Sequence, residues 1–221
     1  MKRCPVEQFP FWENLSKEEQ EYLCGSIQAV RYRAGQIVRS SEECLGILLV
    51  QSGVLRAGLL SEDGRLVTIS RMSAGEVCVL SASCILSAIT FDVQIDAETD
   101  CELLVIPPMV FARLMKDNIY VENFVNKSAV ERFSDVIGAV ERILFYTLEQ
   151  RLAAFLLDES AREGKDELHV TQEQIAQNIG SAREAVTRAM KQLADKGCVE
   201  LRRGVVQLKD RRRLYQICEN A

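Results

Sequence analysis

Between residues 27 and 106 the apolar positions fall into short runs broken by glycine. Gly35, Gly46, Gly53, Gly64 and Gly75 recur 7 to 11 residues apart, a rhythm that predicts a sandwich or barrel of short strands. Asp63-Gly64, between the runs at 54–60 and 65–71, predicts a tight hairpin, because Asp-Gly supplies the positive φ such a reversal needs. Phe91, Val93 and Ile95 alternate with Asp92, Gln94 and Asp96, as in a half-buried strand. Residues 103–106 are continuously apolar until Pro107-Pro108 stops them.

Beyond Pro108 the period becomes helical. A short segment at 110–116 precedes a long one at 121–146 that contains no proline. Within it Val130, Phe133, Ile137, Val140 and Leu144 are spaced 3, 4, 3, 4, the spacing of a seam that two helices bury against each other. Val125, Ala129, Val136 and Ile143 form a second stripe. The repeat covers about two heptads, so spacing alone leaves open whether it meets another chain or the protein's own sheet. Residues 147–163 form a further amphipathic helix with Leu148, Leu152, Phe155 and Leu156 inward, and Gly164 breaks it.

Next come two short helices. Thr171 with Gln174 predicts a capping box for the first, and Gly180 its end. Ser181 with Glu184 predicts the cap of the second, over 182–193. Ile175, Ile179, Val186, Met190 and Leu193 supply a small helix-turn-helix core. The opposite face carries Arg183, Glu184, Thr187, Arg188 and Lys191 at i, i+1, i+4, i+5 and i+8, near the helix N-terminus, where major-groove readers touch bases. Arginine forks onto guanine, glutamate accepts from cytosine N4, and threonine meets a thymine methyl or a phosphate. Residues 199–201 and 205–208 predict a wing around a basic turn, with Arg202 and Arg203 at its tip. These two, together with Ser181, Lys191, Lys209 and Arg211 to Arg213, suit phosphates that position a reader without specifying sequence.

Charge sharpens this picture. The 221-residue chain has a net charge of −5, but residues 1–164 carry 16 basic against 24 acidic side chains and residues 165–221 carry 11 against 8. An acidic body with a basic end binds phosphate through that end. A single histidine, His169, excludes a His-based triad or multi-histidine metal site in one chain, and no metal set, nucleophile–base pair or phosphate loop appears. An enzyme is therefore not expected. The eight cysteines contain no CxxC and read as reduced small hydrophobes of a cytoplasmic protein. The charged N-terminus and the lack of a long apolar run predict neither export nor a membrane span.

The order of strands, long helix and winged helix-turn-helix, with Gly-Ser-Ala-Arg-Glu-Ala-Val-Thr-Arg at 180–188, resembles the CRP/FNR superfamily of bacterial dimeric transcription regulators. The resemblance implies an α+β chain in three parts. Residues 1–117 are an effector-sensing double-stranded β-helix, or β-roll, of the cyclic-nucleotide-binding type with a leader. Residues 118–146 are a dimerisation helix, with Val130, Phe133, Ile137, Val140 and Leu144 as its seam, and 147–221 a winged helix-turn-helix. It implies that Arg183, Glu184 and Arg188 match the base-reading positions, with Thr187 at a variable fourth. Double-stranded DNA with a palindromic site, a second copy of the chain and RNA polymerase are the implied partners.

The sensor departs from its relatives. Where cyclic-nucleotide binders carry Gly-Glu and Arg-Ser pairs, this chain has Val79-Leu80 and Phe91-Asp92. A phosphate beside Asp92 without an arginine loses its charge-assisted hydrogen bonds, so cyclic AMP is not the expected effector. Iron–sulfur relatives need three clustered N-terminal cysteines, against Cys4 and Cys24 here. Haem on Cys78 lacks the histidine that relatives carry close by, since Leu80 stands there, although Cys78 thiolate alone still provides one axial ligand. Thiol switching by Cys78 and Cys84 is a further alternative, as is a nucleotide-type binding module that does not act on DNA. Otherwise Val79, Leu80, Ser81, Cys84, Phe91 and Asp92 frame either a pocket for an apolar small molecule or an ordinary core, and the cofactor is left unassigned.

Overall fold

A computed structural model describes residues 7–40, 44–61, 66–82 and 93–219. The expected Asp63-Gly64 turn and Cys4, Cys84, Phe91 and Asp92 lie outside the described residues. The chain divides into two compact units, Met1–Leu60 with Ile69–Val136, and Ser61–Thr68 with Ile137–Ala221. The fold is α+β, with N-terminal antiparallel sheets, a long helix and a C-terminal helix-turn-helix.

In the first unit, helix α1 (Lys17–Ser26) starts at a capping box. Ser16 accepts from the Glu19 N–H, and Glu19 accepts from the Ser16 N–H at 2.7 Å. Strands β1 (Gln28–Tyr32), β3 (Ile47–Ser52), β6 (Val77–Cys78) and β8 (Cys101–Ile106) form one sheet in the order β1-β8-β3-β6. Strands β2 (Ile37–Arg39), β4 (Val54–Leu60), β5 (Leu66–Ser73) and β7 (Gln94–Ala97) form another, in the order β2-β7-β4-β5, with the first three residues of β5 counted in the second unit. Alternation divides the side chains of β3 between two cores. Ile47 and Leu49 join Leu23, Leu104 and Phe111, whereas Leu48 and Val50 join Leu55, Ile95 and Leu103. At Gly46 a Cβ would lie 2.0 Å from the Ile106 carbonyl oxygen, so only glycine lets these backbones meet.

Helix α2 (Pro108–Asp117), with proline at its first turn, leads into α3 (Ile119–Phe145). The roll-facing stripe of α3 comprises Val121, Val125 and Ser128, all buried, and half-buried Val136. It differs from the expected second stripe, because Ala129 and Ile143 are exposed.

The second unit is built on α4 (Leu148–Glu163), α5 (Gln172–Ile179) and α6 (Arg183–Asp195). Their inward faces enclose Leu152, Leu156, Ile175, Ile179, Val186, Met190 and Leu193. Thr147 and Thr171 each head a capping box, with Gln150 and Gln174 as partners. Strands β10 (Val199–Arg202) and β11 (Val205–Leu208) make the hairpin, and β9 (Glu167–Leu168) adds a third strand beside β11. Two residues are too few for a period, which is why β9 escapes sequence reading. Residues Arg211 to Arg213 begin a further helix, α7 (Arg211–Glu219), whose Leu214 is buried in the same core.

Two sequence expectations are corrected. Ser181 does not cap α6; Ala182, extended at φ −78°, is the N-cap and no side chain bonds the helix end. Nor are all the cysteines reduced. Cys78, Cys101, Cys198 and Cys218 are free, but Cys24 and Cys44 each take part in a disulfide, which spacing without a CxxC motif does not signal.

Candidate nucleic-acid interface

Helix α6 presents two faces of opposite character. Val186, Met190 and Leu193 are wholly buried, whereas Arg183, Glu184, Thr187, Arg188 and Lys191 are all exposed. The buried face fixes the helix; deleting one such side chain costs about 2–5 kcal/mol. The polar face is left to meet something else. Arg183, Glu184, Arg188 and Lys191 form no ion pair with another described residue, so their charges are available.

Thr187 differs from its neighbours. Its hydroxyl bonds Gln172 at the start of α5 and lies 2.9 Å from the Arg183 carbonyl oxygen. The hydroxyl therefore joins the two helices, and the methyl group is what remains to be offered outward. Ser181 is half-buried, and its N–H donates to the Ala176 carbonyl as Gly180 turns the chain in the left-handed region. Ser181 immediately precedes the N-cap of α6, and backbone N–H groups at a helix N-terminus favour an anion.

The hairpin separates its two arginines. Arg203 occupies the turn and is exposed, whereas Arg202 lies in β10 opposite Val205 and pairs with Glu200 at 2.8 Å. Lys209 shares that carboxylate at 2.7 Å. The bonds from Lys209 and then Arg202 hold the Glu200 carboxyl below its usual range. Arg211 and Arg213 are also engaged internally. Arg211 binds Asp166 at 2.6 Å and also Ser160, and Arg213 donates to the Lys196 carbonyl at 2.6 Å. They anchor α7, which corrects the expectation that all of these cations await phosphate.

Along α3 the seam is uncovered: Val130 is 65% exposed, Phe133 65%, Ile137 48%, Val140 44% and Leu144 68%. A 3-4 row of large apolar side chains in water is the mark of a surface awaiting a partner.

In the sensor, Val79 and Leu80 are buried on different sides. Val79 joins the cluster around Phe111, and Leu80 joins that around Leu48 and Leu103. The Ser81 hydroxyl is 2.6 Å from the Gly46 carbonyl oxygen and 2.9 Å from that of Cys78. These three are therefore core residues. Cys78 is fully buried among apolar neighbours, and burial raises its thiol pKa despite opposing bonds from Ser81. Such a thiol is a poor match for a haem thiolate or a fast redox switch. Among the described residues no three His, Cys, Asp or Glu side chains form a metal-binding group.

Sequence reading missed the polar network of the β2-β7-β4-β5 sheet. Arg39, 2% exposed, donates to the Val93 carbonyl at 2.9 Å; Arg56 pairs with Asp96 at 3.0 Å and Arg71 with Glu98 at 2.5 Å. Arg132 on α3 donates to Ser70 at 2.8 Å and Asp135 at 2.9 Å. Ser70, Asp96 and Glu98 are far from their arginines in sequence, so no local signal pointed to these pairs.

A helix pair with a buried inner face and an exposed, mainly basic outer face, followed by a hairpin wing, has the geometry of a winged helix-turn-helix. The sequence matches the Crp-like helix-turn-helix domain over residues 150–217 and the cyclic nucleotide-binding domain over 29–118. A CRP/FNR-family protein of Eubacterium rectale is 37% identical, with a TM-score of 0.94, covering 97% of this chain and 100% of that one. The chain belongs to the CRP/FNR family of transcriptional regulators. The transcriptional regulator SdrP of Thermus thermophilus is 28% identical over 177 residues, 77% of this chain and 83% of that protein. The c-di-GMP responsive global regulator CLP of Xanthomonas campestris shares the fold, with a TM-score of 0.74 at 21% identity over 88% of this chain and 100% of that one. Among the described residues no helix is long and apolar enough to cross a membrane.

Proposed function

We propose that the protein acts as a homodimer that reads a palindromic promoter site through α6 and regulates transcription with RNA polymerase. In this reading Arg183, Glu184 and Arg188 contact base edges, and Thr187 offers its methyl group to a thymine. Ser181, Lys191 and Arg203 hold phosphates, and Arg202 joins them when a phosphate replaces Glu200. The observation that carries it is the free charge of Arg183, Glu184 and Arg188 on a helix whose other face is wholly buried.

The uncovered 3-4 seam of α3 supports the dimer, and family membership brings in RNA polymerase. A small effector or a redox signal other than cyclic AMP controls the sensor. Apolar Val79 and Leu80 at the Gly-Glu position support the exclusion of that nucleotide, since neither side chain binds a ribose hydroxyl. Enzymatic activity is not part of this reading.

Selection of bound sites from a random duplex library tests the proposal. The expected outcome is an inverted repeat, with Arg188→Ala or Glu184→Ala losing about 1–3 kcal/mol at one base pair per half-site while random duplex is bound as before. An equal loss on selected and random duplex contradicts the roles.

A further inference from the structure

The second unit contains a cavity that DNA reading does not use. Its volume is about 140 Å³, and at about 30 Å³ per water-sized group it holds roughly five. Every lining residue belongs to that unit. Val67, Ile143 and Phe155 give it apolar walls, and Thr68, Arg142, Arg151, Asp158 and Asn178 give it polar ones.

The polar wall is incompletely satisfied. Among the described residues Thr68 Oγ1 and Arg151 Nε are both buried without a hydrogen-bond partner, and a buried polar atom left so favours a ligand that supplies one. Arg151 already donates through Nη1 to the Ile179 carbonyl at 2.7 Å, with that of Gly180 at 3.4 Å. Burial lowers its pKa, as expected of a cation short of solvent. An anion within reach of the fork would replace what water no longer supplies.

We infer that this cavity is a binding site for a small organic carboxylate with a short hydrocarbon body. Two guanidinium groups face one carboxylate, Asp158, and the surplus of one positive charge selects a monoanion over a dianion. A carboxylate fits the guanidinium fork in a way that a neutral amide does not. The hydrocarbon part lies against Val67, Ile143 and Phe155, as in sites lined mainly by apolar side chains with few polar groups.

The site also has a route to α6. Arg151 holds the carbonyls of Ile179 and Gly180, the turn that leads into that helix. A ligand on the same fork alters how firmly the turn is held, and so the affinity for DNA. This second statement rests on the proposed function, whereas carboxylate binding does not.

Calorimetric titration of the full chain with butyrate and benzoate, against butyramide and benzamide, tests the inference. The acids are expected to bind and the amides to fail at about 10 mM. Arg142→Gln, at an exposed position, weakens the acids at least about tenfold, Asp158→Asn tightens them, and Ala154→Leu fills the cavity and abolishes binding. A thermal unfolding scan shows that each variant is folded; if Ala154→Leu is not, Arg142→Gln decides. Acids that bind no better than amides, no heat with either acid, or an unchanged Arg142→Gln overturn the site. A protein that binds butyrate but no duplex retires the DNA reading and leaves the site standing; one that binds duplex but neither acid retires the site alone.

Discussion

The hydroxyl of Thr187 on α6 is hydrogen-bonded to the side chain of Gln172 on the first turn of α5, fifteen residues earlier in the chain. One side chain at the exposed edge of the reading face thus belongs partly to the scaffold. Thr187→Val keeps the methyl and removes the bond, so it is expected to lower stability by about 0.5–1.5 kcal/mol while leaving base preference intact. Thr187→Ala removes the methyl too, and is expected to weaken preference at one position. Denaturant unfolding together with binding to a panel of single-base variants separates the two effects.

The wing arginines are predicted to differ. Arg203 stands at the turn without an ion pair to any described residue, so Arg203→Ala should weaken all duplexes alike and reduce the salt slope by about 1. Arg202→Ala also leaves the Glu200 carboxylate with Lys209 alone, adding repulsion toward phosphate, and should weaken binding more than Arg203→Ala. Affinity measured across a salt series checks the order; a larger loss for Arg203→Ala would reverse the assignment.

Gly180 ends α5 in the left-handed region at φ +63°, and a Cβ there would meet Ile143 at 3.2 Å and Val67 at 3.5 Å. Backbone strain in that region is about 1–2 kcal/mol for a residue with a side chain, and the contact adds to it. Gly180→Ala is therefore expected to destabilise the second unit by about 1–3 kcal/mol. Calorimetric unfolding checks it, and an unchanged or raised Tm would show that the turn relaxes freely.

Much of this architecture was legible because it is encoded locally. Thr171 and Gln174 are three residues apart, and their reciprocal bonds formed as read; so did the 3-4 spacing that leaves Phe133 and Ile137 on one uncovered face. Ser16-x-x-Glu19 carries the same kind of signal. Ser181 is not the cap although its motif is present, because α6 starts one residue later, with Ala182 at its N-cap. What stayed hidden is non-local. Arg151 finds the Ile179 carbonyl 28 residues away and Arg56 finds Asp96 across two strands, and neither leaves a period or a motif. The charge of Arg211 looked like a phosphate contact until α7 folded back to bring it to Asp166.

The free thiols yield a prediction about pH. Burial raises the pKa of Cys78, Cys101, Cys198 and Cys218 above the ordinary 9.0, so at neutral pH the reactive thiolate is scarcer than in the unfolded chain. Iodoacetamide at about pH 7.5 is expected to label these four slowly, and rapidly once denaturant is added. Linkage fixes the sign. With folded values raised, the unfolded chain loses its protons first, so this contribution to stability is complete below about pH 9 and declines as pH rises through the folded values. Rapid labelling of Cys78 in the native protein would contradict its burial.

The proposed function requires two copies of α6 to meet one duplex. Sedimentation equilibrium of the protein with a duplex carrying the selected inverted repeat measures this directly. The predicted result is two chains per duplex, with protection in two major-groove segments about 34–36 Å apart, and loss of both when Phe133→Glu charges the α3 seam. One chain per duplex at undiminished affinity, or a Phe133→Glu protein that still pairs and protects both segments, contradicts it.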